Sequence, residues 1–209
     1  MKKLESSLLN MTLVLTGVAV IMGAILAYVN NLTNGPIQEQ KEKALADGIK
    51  SVMSSDNIVV AKTDTVKQND AKGKEQTFII YQTKDTDGKE LGAAVESTTS
   101  GFGGDLKVLV GFNPEGTILG YTLLEHAETP GLGAKADKWF QKGEKGDIIG
   151  KNPQEPLTVS KDGGQIDAIT ASTITSRAFL LAVNNAYTAY KTKPVDSETG
   201  ATMQTEKNN

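Results

Sequence analysis

From Ser6 to Gln38 the chain carries no charged side chain, and no other stretch limits its folding as severely. Within it, "LLNMTLVLTGVAVIMGAILAYV" is apolar enough and long enough to span a membrane as a helix, which takes about 20 residues for a hydrocarbon core of roughly 30 Å. Asn10, Thr12, Thr16, Gly17 and Gly23 are tolerable interruptions, and small residues suit packing against neighbouring helices. Lys2 and Lys3 precede the run, and no Lys or Arg follows before Lys41. The positive-inside rule then places the N-terminus in the cytoplasm and the rest of the chain outside it. A cleaved signal peptide would have a shorter apolar core, no acidic residue such as Glu5 ahead of it, and a small-x-small site closing it. The expectation is a single-pass anchor in a bacterial inner (cytoplasmic) membrane, with an extracytoplasmic, periplasmic domain.

A chain of 209 residues can bury one real core beside that anchor. Its net charge of −3 leaves no basic surplus for neutralising a nucleic-acid backbone. Cysteine is absent and His126 is the single histidine. Disulfides, cysteine-held iron–sulfur clusters, c-type haem and multi-histidine metal sites are therefore excluded. If this chain handles electrons, it needs an organic cofactor.

After the anchor, "NNLTNGPIQEQ" reads as a turn-rich exit, with Pro36 opening a surface helix over "IQEQKEKALADGIKSVM". Ser54 to Lys74 is expected to supply an edge strand and a loop. "TFIIYQT", "LGAAVEST", "LKVLVGF" and "TILGYTLLEH" are strand-length, β-branched runs parted by Asp87-Gly88, Gly101 to Gly104 and Pro114-Glu115-Gly116. "AKADKWFQK" reads as a short helix whose Trp139 and Phe140 belong to the core, and "LTVSKDGGQID" as a hairpin about Asp162-Gly163-Gly164. The last helix is expected from Thr173 to Lys191, with Phe179, Val183, Ala186, Tyr187 and Tyr190 as its apolar stripe. The fold class is α+β: an antiparallel sheet with packed helices, preceded by one N-terminal transmembrane helix.

The start of that last helix, "DAITASTITS", holds more hydroxyls than a cap needs: Thr170, Ser172, Thr173, Thr175 and Ser176. A helix N-terminus offers unpaired amides and the positive end of a dipole, so it suits a phosphate; caps alone are the plainer reading. No basic residue directly precedes the cluster and no P-loop lysine is present, which excludes a nucleoside triphosphate site.

The same stretch resembles the flavinylation motif of the family whose members carry FMN joined by a phosphoester to a threonine. That family includes the G subunit of the Rnf complex, which this chain resembles more closely, and the C subunit of the sodium-translocating NADH:quinone oxidoreductase. Asp167 matches the motif's Asp, Thr170 its first hydroxyl, Thr173 the acceptor, and Thr175 and Ser176 the hydroxyls beyond. Ala171 stands where glycine is usual and could strain a turn, and Ser172 stands where alanine is usual. "LLEHAETPGLGAKADKWF" is similar to a second family segment, whose Glu128, Thr129, Gly131, Leu132 and Gly133 lie by resemblance in a loop beside the isoalloxazine. The glycines there suggest close approach of backbone to cofactor, and Glu128 a loop-ordering carboxylate. His126 reads as a surface or hydrogen-bonding residue.

The resemblance implies a membrane-anchored electron carrier with covalent FMN (phosphothreonyl-FMN) within a redox-driven ion-translocating complex that moves electrons between ferredoxin and NAD. Its implied partners are the other membrane subunits and a magnesium-dependent flavin transferase using FAD, because a threonine hydroxyl is a poor nucleophile unaided. The expected organisation is residues 1–35 for the N-terminus and anchor and 36–90 for a helix and the first part of the outer domain. Residues 91–191 form the FMN-binding domain and 192–209 a disordered tail. A cofactor-free anchored assembly module, or a stand-alone extracytoplasmic flavin carrier, remains the alternative.

Overall fold

The computed structural model describes residues 8–55, 57–69 and 75–192. Lys2, Lys3 and the tail beyond Thr192 lie outside the described residues. The chain divides into two compact units, the first ending at Ala44 and the second beginning at Leu45.

The first unit is a helix. Helix α1 (Leu8–Met53) has a stretch of mean hydropathy 2.3, none of it buried by the protein, and it is long and apolar enough to cross a membrane. Leu8, Leu15 and Tyr28 are among its exposed apolar side chains. A helix that is apolar all round and uncovered by protein needs a lipid or partner surface. The exit turn expected near Pro36 is absent: α1 runs through it without a break. Proline removes one backbone donor and crowds the preceding turn. That loss is local, whereas two new helix ends would orphan a full set of donors and acceptors.

The second unit is built on one antiparallel sheet in the order β1-β2-β3-β4-β5. The strands are β1 (Ile58–Asn69), β2 (Glu75–Asp85), β3 (Glu90–Ser100), β4 (Asp105–Phe112) and β5 (Ile118–His126). Each pairs with the next, as the turn chemistry between the runs requires. Alternation assigns the faces. Leu106, Val108, Val110 and Phe112 of β4 enter a core shared with α3 (Thr173–Lys191), while Leu109 faces the last turns of α1. The sheet is thus covered on both sides, by α3 on one and by residues Leu45 to Met53 on the other.

Two local devices set these layers. Gly111 and Gly120 are cross-strand partners, and the Val52 carbonyl rests on them where any Cβ would collide. On the other face, the ring of Phe179 stacks on Phe140 at 4.2 Å and meets Tyr121 edge-on at 4.7 Å. The Tyr121 hydroxyl donates to the Ala136 carbonyl at 2.7 Å and accepts from the Phe140 amide at 3.1 Å. Burial pushes this phenol well above its ordinary pKa. These contacts pin the short helix α2 (Ala136–Trp139) and the 3-10 turn Gly133–Lys135 before it onto the sheet, and so position the preceding loop.

The expected hairpin at Asp162-Gly163-Gly164 is not one. Ser160–Asp162 forms a single 3-10 turn, flanked by one isolated parallel bridge between Val159 and Ile166. Gly163 takes φ +86° to reverse the chain, and Gly164 packs against the Thr158 carbonyl, leaving no ladder to extend.

Candidate functional site

Three loops converge at the N-terminal end of α3: the β3–β4 turn Gly101 to Gly104, the segment Glu128 to Gly133, and the turn leading into Thr173. What joins them is the carboxylate of Glu128, 6% exposed. Its Oε1 accepts from the Phe102 amide at 2.7 Å and the Gly103 amide at 3.3 Å. Its Oε2 accepts from the Thr175 hydroxyl at 2.8 Å. Glycine is needed around it for space, since a Cβ at Gly101 or Gly133 would strike the carboxylate itself. The Glu128 amide in turn donates to His126 Nδ1 at 3.3 Å. The loop closes on itself through Thr129, whose carbonyl accepts from the Leu132 and Ala134 amides at 3.1 and 3.2 Å.

Beside this knot lies a cavity of about 400 Å³. Glu128, Thr129, Leu132 and Gly133 line one side, Ala171 to Thr175 another, and Phe102 a third. Its lining is mainly apolar, with Phe102, Leu132 and Ile174 at its exposed rim. The volume falls within the roughly 300–1,000 Å³ usual for small-molecule and cofactor sites.

The hydroxyl cluster divides by task. Ser172 is the N-cap of α3; it lines the cavity, and its side chain makes no capping bond. Ser176, fully buried, donates to the Ser172 carbonyl at 3.0 Å and accepts from the Ile169 amide at 2.9 Å. It braces the turn and does not line the cavity. Thr175 is buried and committed to Glu128. Thr170 is exposed outside the lining. Asp167 is also outside it: its Oδ1 accepts from Ser160 Oγ at 3.3 Å and its carbonyl from Trp139 Nε1 at 2.8 Å. Thr173 remains, half-buried in the cavity wall at the first residue of the helix.

Ala171 adopts φ +61° in a turn closed by the Ser172 amide on the Ile169 carbonyl at 3.0 Å. A third turn residue with positive φ is where glycine costs nothing and alanine is strained. Gly131 also has positive φ (+77°), but open space surrounds its Cβ direction and it lies outside this cavity, in a neighbouring cleft with Trp139. The tight contact in this loop is at Gly133, where a Cβ would meet the Glu128 carboxylate and the Thr175 hydroxyl. Sequence reasoning missed Phe102 and Ile174. An aromatic set among the glycines of "GFGGD" and an isoleucine amid hydroxyls at a helix start were the available signals.

Fold and site together define a sheet-and-helix domain, attached to a membrane-length helix, with a cavity of cofactor size and mainly apolar lining at a helix N-terminus. Residues 101–188 match the family model of the FMN-binding domain, and residues 1–52 match that of the RnfG N-terminal region. The chain is 34% identical over 189 residues to the G subunit of the ion-translocating oxidoreductase complex of Aliivibrio fischeri (strain MJ11), covering 87% of this chain and 89% of that one. It is 35% identical over 182 residues to the corresponding G subunit from Vibrio cholerae serotype O1 (strain M66-2), covering 83% and 86%. The chain therefore belongs to the family of G subunits of ion-translocating oxidoreductase complexes. The crystal structure of Shewanella oneidensis NqrC has the same fold, with a TM-score of 0.51 and 16% identity over 73% of this chain and 94% of that one.

The residues present fit FMN. An apolar rim suits a flat ring system, and the uncapped first turn of α3 leaves amides to face a phosphate. Replacing Glu128 by Ala should strand two loop amides and a buried hydroxyl, lowering stability by about 2–4 kcal/mol in urea unfolding of the detergent-solubilised chain. A loss no larger than that of an average surface substitution would mean that Glu128 does not hold the loops. Ala171→Gly should act in the opposite direction, raising stability by about 0.5–1 kcal/mol in the same assay, because relief of backbone strain outweighs glycine's greater unfolded-state entropy.

Proposed function

We infer that this protein is the membrane-anchored flavin electron carrier of an ion-translocating oxidoreductase complex, and that Thr173 carries its FMN as a phosphoester. The observation that supports the acceptor is the division of the hydroxyls: Thr173 combines the motif's acceptor position with a place in the cavity wall, whereas Thr175 is bonded to Glu128 and Ser176 to the Ser172 carbonyl. Bound FMN supplies reversible uptake and release of one or two electrons. The chain's residues hold and shield it. The first-turn amides of α3 would face the phosphate and Phe102, Leu132 and Ile174 would shield the ring, while Glu128 keeps the three loops in register.

Attachment needs a second protein. In the proposed step Thr173 Oγ1 forms a bond to the FMN phosphorus of FAD, the pyrophosphate bond breaks, AMP leaves, and the hydroxyl proton passes to a base of a magnesium-dependent transferase. Among the described residues the side-chain partner of the Thr173 hydroxyl is the amino group of Lys161 at 3.2 Å, a cation rather than a base. Lys2 and Lys3 ahead of the apolar run support an orientation with the N-terminus in the cytoplasm and the flavin domain outside. The electron path between ferredoxin and NAD belongs to the assembled complex rather than to this protein alone.

Two measurements test this reading. Alkaline phosphatase fused after Asn209 should be active and a cytoplasmic reporter there silent; the reverse pattern would overturn the orientation. Co-expressed with the transferase, the chain should give a band that fluoresces under ultraviolet light on a denaturing gel. Peptide mapping should place the flavin between Asp167 and Arg177, on Thr173. Thr173→Ala should abolish the label while Ser172→Ala keeps it. A label on Ser172 or Thr175 would refute the assignment of the acceptor, and no label with an active transferase would refute covalent attachment.

A further inference from the structure

We propose that Lys161 is the cation that receives the phosphoester carried by Thr173, an assignment that rests on Thr173 being the flavin acceptor. Lys161 Nζ donates to Thr173 Oγ1 at 3.2 Å, although 12 residues separate the two in sequence. The backbone that presents it is fixed. The Ser160 amide donates to the Ile166 carbonyl at 2.8 Å, the Gly164 amide to the Val159 carbonyl at 3.1 Å, and the Ile166 amide to the Thr158 carbonyl at 3.2 Å. Val159 and Ile166 on either side of the turn are buried in the core against α3.

The charges around Lys161 leave it uncompensated. Both oxygens of Asp162 are taken by Arg177, through Nε and Nη2 at 2.7 Å each, and this pairing holds the Asp162 carboxyl below its usual range. Asp167 is engaged with Ser160. Among the described residues, no carboxylate lies within ion-pair distance of Lys161 Nζ. A full positive charge therefore rests on a neutral hydroxyl at the positive end of a helix. In the apo chain this is the wrong sign for the site, because helix N-termini favour anions and disfavour cations.

Esterification reverses the sign. The hydroxyl proton leaves, Oγ1 bonds to phosphorus, and the diester's two non-bridging oxygens share one negative charge two bonds beyond the atom that Lys161 already touches. The helix end supplies only about half an elementary charge to meet it, and Lys161 supplies a whole one.

The sign change makes the test specific. Wild type, Lys161→Met and Lys161→Arg, as full chains in detergent, are prepared without flavin and after loading by the transferase, with loading and its position measured by peptide mass. Unfolding is followed in urea at low and high salt. In the apo form Lys161→Met should unfold like wild type or slightly less readily. In the loaded form its unfolding equilibrium constant should rise about five-fold, less at high salt, and Lys161→Arg should restore it. Equal shifts in both forms, or none in either, would overturn the assignment while leaving Thr173 as acceptor. If Lys161→Met takes up no flavin, normal uptake by Lys161→Arg supports the charge assignment and equal failure overturns it. A wild-type label absent, or found away from Thr173, refutes the parent reading and this one with it.

Discussion

The carboxylate of Glu128 is the constraint on which the site depends. A buried carboxylate is costly unless its oxygens are met by donors, and here two amides and a hydroxyl meet them. Those donors come from the β3–β4 turn and from the first turn of α3, so satisfying one side chain fixes three loops at once. The cavity exists because those loops cannot collapse onto each other without breaking that set. Glycines at 101 and 133 leave the carboxylate room to be reached, which ties the loop composition to the same requirement.

Around this knot the sheet acts as a rigid floor with two covered faces. The Phe140–Phe179–Tyr121 cluster locks the chain following the Glu128 loop against α3, so that loop and helix cannot drift apart. On the opposite face, the glycine pair under Val52 lets the end of α1 lie directly on the strands. An electron carrier gains from such stiffness, since a cofactor held without reorganisation keeps a constant distance to its redox neighbours.

The crowd of hydroxyls at the head of α3 proves to be three separate devices in one turn of chain. Ser176 braces the turn, Thr175 anchors Glu128, and Thr173 faces the cavity. Ala171, held at positive φ, shows that the turn geometry is imposed by its surroundings: the bonds of Ser172 and Ser176 to Ile169 over-determine it, and a residue poorly suited to it conforms.

Much of this protein was legible in its sequence, because the signals were local or periodic. The uncharged run marked a membrane-length helix, four β-branched runs parted by turn residues marked β2 to β5 with an edge strand expected before them, and apolar spacing set α3 from Thr173 to Lys191. Of the motif residues, Glu128, Thr129, Leu132, Gly133, Thr173 and Thr175 line one cavity, and Asp167, Thr170, Gly131 and Ser176 lie outside its lining. What the pattern could not carry was anything decided between distant residues. Glu128 meets partners 26 and 47 positions away, and no local rule states which oxygen a carboxylate will offer to which loop. Lys161 reaches Thr173 only because the chain reverses through a 3-10 turn where a hairpin was expected, and Gly133 packs on the Glu128 carboxylate while Gly131 has open space about it. Pro36 stays inside a helix because continuity outweighs one missing bond, a balance that propensity alone does not weigh. Sequence determined the elements and the chemistry available; tertiary structure alone decided that two of the five neighbouring hydroxyls, Thr175 and Ser176, are spent on holding the fold, because both are buried and must find partners there.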